Sequence, residues 1–478
     1  NGIGADAVII TAGTSSLDPI NFAGEIARRK GKVVIVGAVP TGFDRPNYYK
    51  KELELLMSSS YGPGRYDINY EEKGIDYPAG YVRWTENRNM QSYIDLLASN
   101  KLDINKIISH TFPLDNAPEA YNMILSKSEH FSGILIEYEI KSKLKKDVVL
   151  NTTTQSPSKA NVAFIGAGNF AQNILLPRLK GRCNFTGIAT AHGNTARYVA
   201  DKYKFSFCAG NADDIVNDKQ TNTVFIATRH NLHAEYVIKA INSGKNVFVE
   251  KPLAMTIEEL DNIQSAYNAI PSDKKPLIFV GFNRRFSPHV QQIKKMFLDE
   301  QPKAINFRIN AGAVPKDHWV NDPEIGGGRI IGEGCHFIDL AMYIAGSKIV
   351  SVNANTIKDA NYLNDTVTIN LGFENGSIAN IAYFSNGSKS LAKEFIEVFC
   401  GGTSVIIDDF KTMRVLDKSE KKYKLKGQDK GHQKELIQFI ESIEKGKPSP
   451  IPFEELYLSS LATFKVLESI KEGRRLSV

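Results

Sequence analysis

The chain has 478 residues, 42% hydrophobic and 23% charged, the balance of a soluble globular protein with room for roughly two to four domains. Its net charge of +6, from 59 basic and 53 acidic residues, is small for this length, and no basic stripe with interleaved aromatics marks a nucleic-acid binder. No apolar run approaches the roughly 18–20 residues that cross a bilayer, and no secretory signal is visible.

The predicted elements start at the first residues. Asp6-Ala-Val-Ile-Ile10 reads as a strand within the run Ala5–Thr14, which ends at Gly13. The sequence begins with Asn1 rather than Met, which suggests that an upstream part is missing. A helical pattern follows through Ala27, then a buried strand over 31–37, helices over 90–97 and 116–125, and a strand over 132–138. Short Val/Ile runs bounded by glycine suit a parallel sheet covered on both faces. A basic cluster (Lys141, Lys143, Lys145, Lys146) and the polar stretch Leu150–Ser158 then read as a linker over 141–159.

From residue 160 strand and helix alternate with sharper punctuation. Strands are expected over 162–165, 185–189, 223–227, 247–249 and 276–280, with helices over 171–179, 195–203 and 232–242. Such alternation predicts βαβ crossovers and a parallel sheet. Beyond about residue 300 the period changes to two, with antiparallel strands over 305–311, 350–354, 366–371, 377–383 and 395–399, and two closing helices over 435–443 and 454–470. The predicted fold is α/β: a partial Rossmann-like region (1–140), the linker, a Rossmann-type dinucleotide domain (160–282), and an α/β substrate domain with a largely antiparallel open sheet (283–478).

Three elements carry chemistry. In the first, Val162–Ile165 breaks into Gly166-x-Gly168-x-x-Ala171, with Asn169 and Phe170 between. Gly166 permits the tight turn, Gly168 leaves room for a pyrophosphate, and Ala171 lets the helix sit close to the sheet. The helix start then offers free N–H groups and positive dipole charge. At the end of the second strand, where an acid would hold a ribose 2′-hydroxyl, the residue is Thr190, with His192 and Arg197 nearby. NAD and NADP both stay open, with a slight lean to NADP.

The second element is Glu250-Lys251-Pro252, at the C-terminal end of a strand where open α/β sheets bind ligands. Lys251 can hydrogen-bond a reacting hydroxyl and favour its alkoxide character. The third is Gly326-Gly-Gly-Arg-Ile-Ile-Gly-Glu-Gly-Cys-His336-Phe-Ile-Asp339. A loop of three glycines runs into a helix on which Glu333, His336 and Asp339 fall at steps of three, so His336 reads as general base and the two acids as proton relays. Arg284 and Arg285 are candidates for a substrate phosphate or carboxylate. His318 and Trp319 are candidates for the pocket wall. Four scattered cysteines without a CxxC pair predict neither structural zinc nor disulfides, and point to a reducing cytoplasm.

These three elements, with Ala227-Thr-Arg-His-Asn-Leu-His233 and Val280-Gly-Phe-Asn-Arg-Arg-Phe-Ser-Pro288, resemble the Gfo/Idh/MocA family of NAD(P)-dependent sugar and cyclitol oxidoreductases over residues 160–478. The resemblance implies that Lys251 and His336 are catalytic and that the antiparallel sheet carries the substrate pocket. It also implies cofactor contacts at Ala227, Thr228, His230, His233 and Glu250. Two positions depart from the family's pattern. Gly332 stands where an aspartate is frequent, and Thr228-Arg-His-Asn231 replaces the more usual Thr-Pro-Asn. Residues 1–140, through Gly31-Lys-Val-Val-Ile-Val-Gly37 and Phe112–Tyr121, resemble the C-terminal half of a medium-chain, zinc-type alcohol dehydrogenase. That family's phosphate glycines and zinc ligands fall upstream of the matching segment, so neither zinc nor alcohol dehydrogenase activity is carried over. The fusion resembles bi-domain oxidoreductases of bacterial surface-polysaccharide loci, which implies a sugar or nucleotide-sugar substrate.

The sequence therefore predicts hydride transfer between a nicotinamide and a secondary alcohol of a carbohydrate-like molecule. A homo-oligomer, dimer or tetramer, is expected through the open sheet face. The competing reading is a non-catalytic dinucleotide sensor or scaffold.

Overall fold

A computed structural model of the chain describes residues 2–138, 147–150, 159–357, 363 and 365–478. It divides into two compact units, 1–143 and 144–478. Most of the expected linker lies outside the described residues. Of the rest, Asp147–Val149 forms a strand that pairs antiparallel with Phe207–Ala209.

In the first unit the helix Asp18–Ile26 follows the strand Ala5–Ile10, as the pattern predicts. The next strand, Ala27–Ile35, starts earlier than expected and lies between Ala5–Ile10 and Glu54–Met57 in a parallel three-stranded sheet. Ile20, Ala23, Val33, Ile35 and Tyr48 are buried in its core. The strands Ile108–Pro113 and Gly133–Glu137 form a separate parallel pair. Ile108–Pro113, in which Ser109, His110 and Thr111 break the apolar alternation, was not expected as a strand.

The second unit opens with the dinucleotide-type sheet. Its strand order runs Ile278–Val280, Asn246–Val249, Thr223–Ile226, Asn161–Ile165, Asn184–Ala189, Phe207–Ala209 and Asp147–Val149, parallel up to the last pair. The chain reverses its direction of winding between Asn161–Ile165 and Thr223–Ile226, and ligands of open α/β sheets bind at such a reversal. One phenylalanine from each of four adjacent strands lies in register: Phe164, Phe225, Phe248 and Phe279, with successive centroids 5.0, 4.6 and 5.4 Å apart. Phe439, from the late helix His432–Glu444, packs on this row at 6.0, 5.9 and 5.3 Å from the last three rings. A helix expected in the substrate domain thus completes the core of the nucleotide domain.

The second sheet has nine strands among the described residues and is largely antiparallel, as expected, with one parallel pair. Ala304–Asn310 and Ile378–Phe384 run parallel, while the other neighbours are antiparallel. Four strands, Thr403–Asp408, Thr412–Leu416, Glu420–Lys424 and the short Leu476–Ser477, extend it beyond the expected set. The helices Cys335–Ala345 and Phe453–Glu472 contribute Phe337, Leu340, Ile344, Ala462 and Val466 to the core of this sheet. On the other face Asn353, Asn370, Asn380 and Asn306 stand opposite one another in register and end at Glu397. Asn380 Nδ2 donates to Asn306 Oδ1 at 2.8 Å, and Asn306 Nδ2 to Glu397 Oε2 at 2.9 Å. Among the described residues no helix is long and apolar enough to cross a membrane.

Candidate active site

Gly166 leaves its strand with φ +91°, and a Cβ there would lie 2.4 Å from Ala227 O. Only glycine fits, because the first turn of the nucleotide domain runs directly against the turn after Thr223–Ile226. At Gly168 the reverse holds: a Cβ would meet no protein atom within 4 Å. That open space beside a bare backbone is what a pyrophosphate requires. Ala171 is buried at 1% exposure, while Asn169 and Phe170 are exposed. The helix expected over 171–179 begins as a π-helical turn, Ala171–Leu175, before Leu176–Leu179 tightens to α. Phe170 lies 6.0 Å from the His432 ring, so the late helix reaches the phosphate loop.

At the adenosine end Thr190 Oγ1 donates to His192 O at 2.6 Å and closes the turn into the helix Gly193–Tyr203. His192 is exposed, and Arg197 pairs with Asp201 at 2.9 Å on the same helix. No carboxylate stands at the strand end itself, which leaves both ribose forms sterically admissible.

Lys251 and His336 come to one place. Lys251 Nζ donates to Gly332 O at 2.7 Å, inside the π-helical turn Ile330–Gly334 that feeds the helix bearing His336. A π turn breaks the i to i−4 register, and such turns recur at functional sites. The His336 imidazole is held well below its ordinary range, first by burial and then by the positive charges of Arg284, Lys251 and Lys393. A neutral ring able to accept a proton is the consequence. Its Nδ1 is buried without a hydrogen-bond partner among the described residues, and Phe282 packs 6.0 Å from the ring.

The two relay carboxylates do not serve that ring. Glu333 is taken by Tyr383 Oη at 2.6 Å, Arg329 Nη2 at 3.0 Å and Lys393 Nζ. Burial alone raises a carboxyl, but Lys393 and Tyr383 outweigh it and hold Glu333 well below the usual range. A carboxylate so saturated carries no proton near neutrality. Asp339 is clamped by Arg285 through two guanidinium nitrogens, and Arg285 also reaches Glu455 at 2.7 Å. Burial pushes Asp339 up to about 6 against the pull of Arg285.

The arginines expected at the substrate are spent in the same way. Arg284 binds Glu394 through both carboxylate oxygens, at 2.8 and 2.9 Å, and Lys430 adds a third bond at 2.6 Å. Arg284 and Arg285 are buried ion-pair partners that lock the turn Asn283–Phe286 to the second sheet and its helices. His318 is exposed, and its Nδ1 accepts the Val320 N–H at 3.3 Å. Trp319 carries the Arg229 guanidinium over its ring at 4.1 Å, so a sugar stacked on that face has to displace a cation.

The loop after Thr223–Ile226 shows two further histidines in fixed roles. His233 Nδ1 donates to Pro252 O at 2.7 Å, which ties the start of its helix to the turn after Lys251. Burial pushes it down to about 4. His230 Nδ1 donates to Gly326 O at 2.7 Å, linking the nucleotide domain to the triple-glycine loop. Ala227 and Thr228 are half-buried beside Gly166, with Thr228 Oγ1 donating to Arg229 O at 3.0 Å.

Sequence reading named Glu250 as a cofactor contact but missed Glu435, the acid that acts on it. Glu250 is half-buried as a residue, with its carboxylate oxygens 3.0 and 3.1 Å from where a Gly281 Cβ would stand, and desolvation of that carboxylate raises it to about 7. Glu435, from the late helix, is pushed well above the usual range by burial and then by the charge of Glu250. Its signal was present: Glu435 shares a helical stripe with Leu436, Phe439 and Ile440, where an acid is out of place. Among the described residues no group of three or more His, Cys, Asp or Glu could hold a metal, and Cys183, Cys208, Cys335 and Cys400 are buried and free.

With that geometry in place, comparison with known proteins is direct. Residues 160–270 match the model of the oxidoreductase family with an NAD-binding Rossmann fold, and residues 301–402 match the GFO/IDH/MocA C-terminal domain. The chain is similar to myo-inositol 2-dehydrogenase of Thermotoga maritima, 24% identical over 283 residues, which span 55% of this chain and 81% of the relative. It is 33% identical over 180 residues to levoglucosan dehydrogenase of Pseudarthrobacter phenanthrenivorans, covering 35% of this chain and 44% of that protein. It is 27% identical over 232 residues to the oxidoreductase YrbE of Bacillus subtilis, covering 46% and 65%. Among solved structures, levoglucosan dehydrogenase in complex with NADH and levoglucosan superposes with TM-score 0.59 at 22% identity, over 67% of this chain and 99% of that one. An NAD-binding oxidoreductase from Klebsiella pneumoniae gives 0.60 at 19% identity over the same shares, so the second unit has the fold of these enzymes. Residues 160–270 and 301–402 thus match, in chain order, the NAD-binding Rossmann domain and the C-terminal domain of the Gfo/Idh/MocA oxidoreductases.

Proposed function

We propose that the protein is an NAD(P)-dependent dehydrogenase that oxidises a secondary alcohol of a sugar, sugar-nucleotide or cyclitol-like substrate, reversibly. The observation that carries this reading is the Lys251 bond to Gly332 O, which ties the lysine to the turn that feeds the helix bearing His336. The open backbone at Gly168 supports a dinucleotide beside them. Relatives named as inositol and levoglucosan dehydrogenases support the substrate class.

A bound nicotinamide supplies the hydride acceptor, and the rest of the work belongs to this chain. Gly166, Gly168, Asn169 and Ala171 hold the pyrophosphate end, with Phe170, Thr190, His192, Ala227, Thr228 and Glu250 lining the remainder. Neutral His336 accepts the hydroxyl proton. Lys251 donates to the same oxygen and stabilises the charge that develops there. Lys251→Ala is expected to cut turnover by about 10²–10⁴-fold while dinucleotide affinity, read by fluorescence titration, stays nearly constant. Unchanged turnover on a substrate that wild type oxidises contradicts the assignment.

The second reading, a dinucleotide-binding sensor without turnover, is favoured by one observation: His336 Nδ1 lacks a carboxylate partner among the described residues. Dinucleotide binding with no reduction of the cofactor across a panel of cyclitols and sugars supports it.

The same proposal assigns the asparagine-lined sheet face to a second copy of the chain, giving a dimer or tetramer, and keeps residues 1–140 as a partial medium-chain dehydrogenase-like unit with no nucleotide of its own. Analytical ultracentrifugation that follows bound dinucleotide by absorbance tests both. The expected result is a dimer or tetramer mass with one dinucleotide per chain. A monomer, or a second dinucleotide per chain, overturns the corresponding part.

A further inference from the structure

The two departures from the family pattern, the His230 loop and Gly332, meet in space. A Cβ built at Gly332 would stand 2.7 Å from His230 Cε1, closer than packed atoms tolerate. The imidazole therefore sits where any other residue at 332 would begin its side chain. The carbonyl of Gly326 can only accept, so His230 donates to it from Nδ1, and Nε2 is left as an acceptor. Burial pushes this ring down to about 3, with the Gly326 bond opposing, so it is neutral near pH 7. Trp319 packs its ring 4.8 Å from the imidazole. Asn231 N–H donates to Ile325 O at 3.2 Å, a second tie between the same two loops. Gly332 is also the residue whose carbonyl receives Lys251.

We propose that His230 is a positioning residue: its ring, seated on the bare backbone of Gly332 and bonded to Gly326, fixes the carbonyl that aims Lys251. This rests on the reading of Lys251 and His336 as the acting pair. The imidazole at 230 and a side chain at 332 exclude one another, so the absence of a carboxylate at 332 and the presence of histidine at 230 are one structural choice. His230 then acts through Lys251 rather than on the substrate.

The test uses Gly332→Ala, His230→Ala, the double variant, and His230→Asn, which keeps an N–H donor for Gly326 O. One readout is the rate at which an amine-acylating reagent labels Lys251, followed by mass spectrometry. The other is kcat against KM for the dinucleotide. Gly332→Ala displaces the ring and is expected to speed Lys251 labelling about tenfold, as is His230→Ala, with the double variant no worse than the more affected single. His230→Asn should restore most of the protection. Turnover falls in parallel while KM for the dinucleotide holds. Unchanged labelling in folded Gly332→Ala, or effects that multiply in the double variant, overturns the proposal. If His230→Ala does not fold, Gly332→Ala and His230→Asn decide it. Labelling needs no substrate, so a failure of the dehydrogenase reading shows itself separately, as absent turnover in wild type.

Discussion

At the scale of single residues, the candidate site rests on backbone that side chains are kept away from. Gly168 is the cleanest case, because a Cβ there touches no protein atom. Gly168→Val should therefore leave the thermal midpoint close to wild type and abolish tight dinucleotide binding by filling the pyrophosphate's place. Calorimetry with a binding titration checks both, and retained tight binding contradicts the phosphate-loop reading. Gly166, Gly168, Lys251 and His336 could be proposed from the sequence because each is announced by its neighbours in the chain. Glu333, Asp339, Arg284 and Arg285 were misread for the opposite reason. Their partners, Tyr383, Lys393, Glu455 and Glu394, lie far away in sequence, and spacing along one helix says nothing about them. The π turn Ile330–Gly334 adds to this: it changes where Glu333 points relative to His336, so steps of three did not give one face.

At the scale of elements, three of them meet at the Glu250 carboxylate. Glu250 leaves the strand Asn246–Val249, Gly281 leaves Ile278–Val280, and Glu435 comes from the helix His432–Glu444. Burial raises Glu250 from 4.5 to about 7, with Lys251 opposing. A carboxyl whose folded value is raised stabilises the fold fully below its unfolded value, and that contribution is lost as pH rises through the folded one. Thermal midpoints measured across pH should therefore fall between about pH 4.5 and 7 more steeply in wild type than in Glu250→Gln. Identical profiles contradict a protonated Glu250. The strands themselves were predicted well where runs of Val, Ile and Phe were continuous, as in Asn161–Ile165 and Thr223–Ile226. Strands such as Glu420–Lys424, exposed throughout, have no apolar periodicity to read and were missed. The parallel pairing of Ala304–Asn310 with Ile378–Phe384 was also invisible, since alternation gives a strand its faces but not its neighbour's direction.

At the scale of the molecule, the two cores of the second unit are tied to each other by elements that cross between them. Phe439 completes the phenylalanine row of the nucleotide domain although it follows the second sheet in sequence. The ion pairs of Arg284 and Arg285 lock the turn after the nucleotide sheet to the second domain. In the proposed mechanism Lys251 and His336 depend on that docking, because Lys251 follows the strand Asn246–Val249 and His336 lies on the helix Cys335–Ala345.

Their joint action on one oxygen is the central claim, and single-turnover hydride transfer in Lys251→Ala, His336→Ala and the double variant tests it most directly. Groups that act as a unit lose their effect together, so the double variant should be about as slow as the slower single. Losses that multiply in the double variant mean that the two side chains work at separate places, and contradict the account.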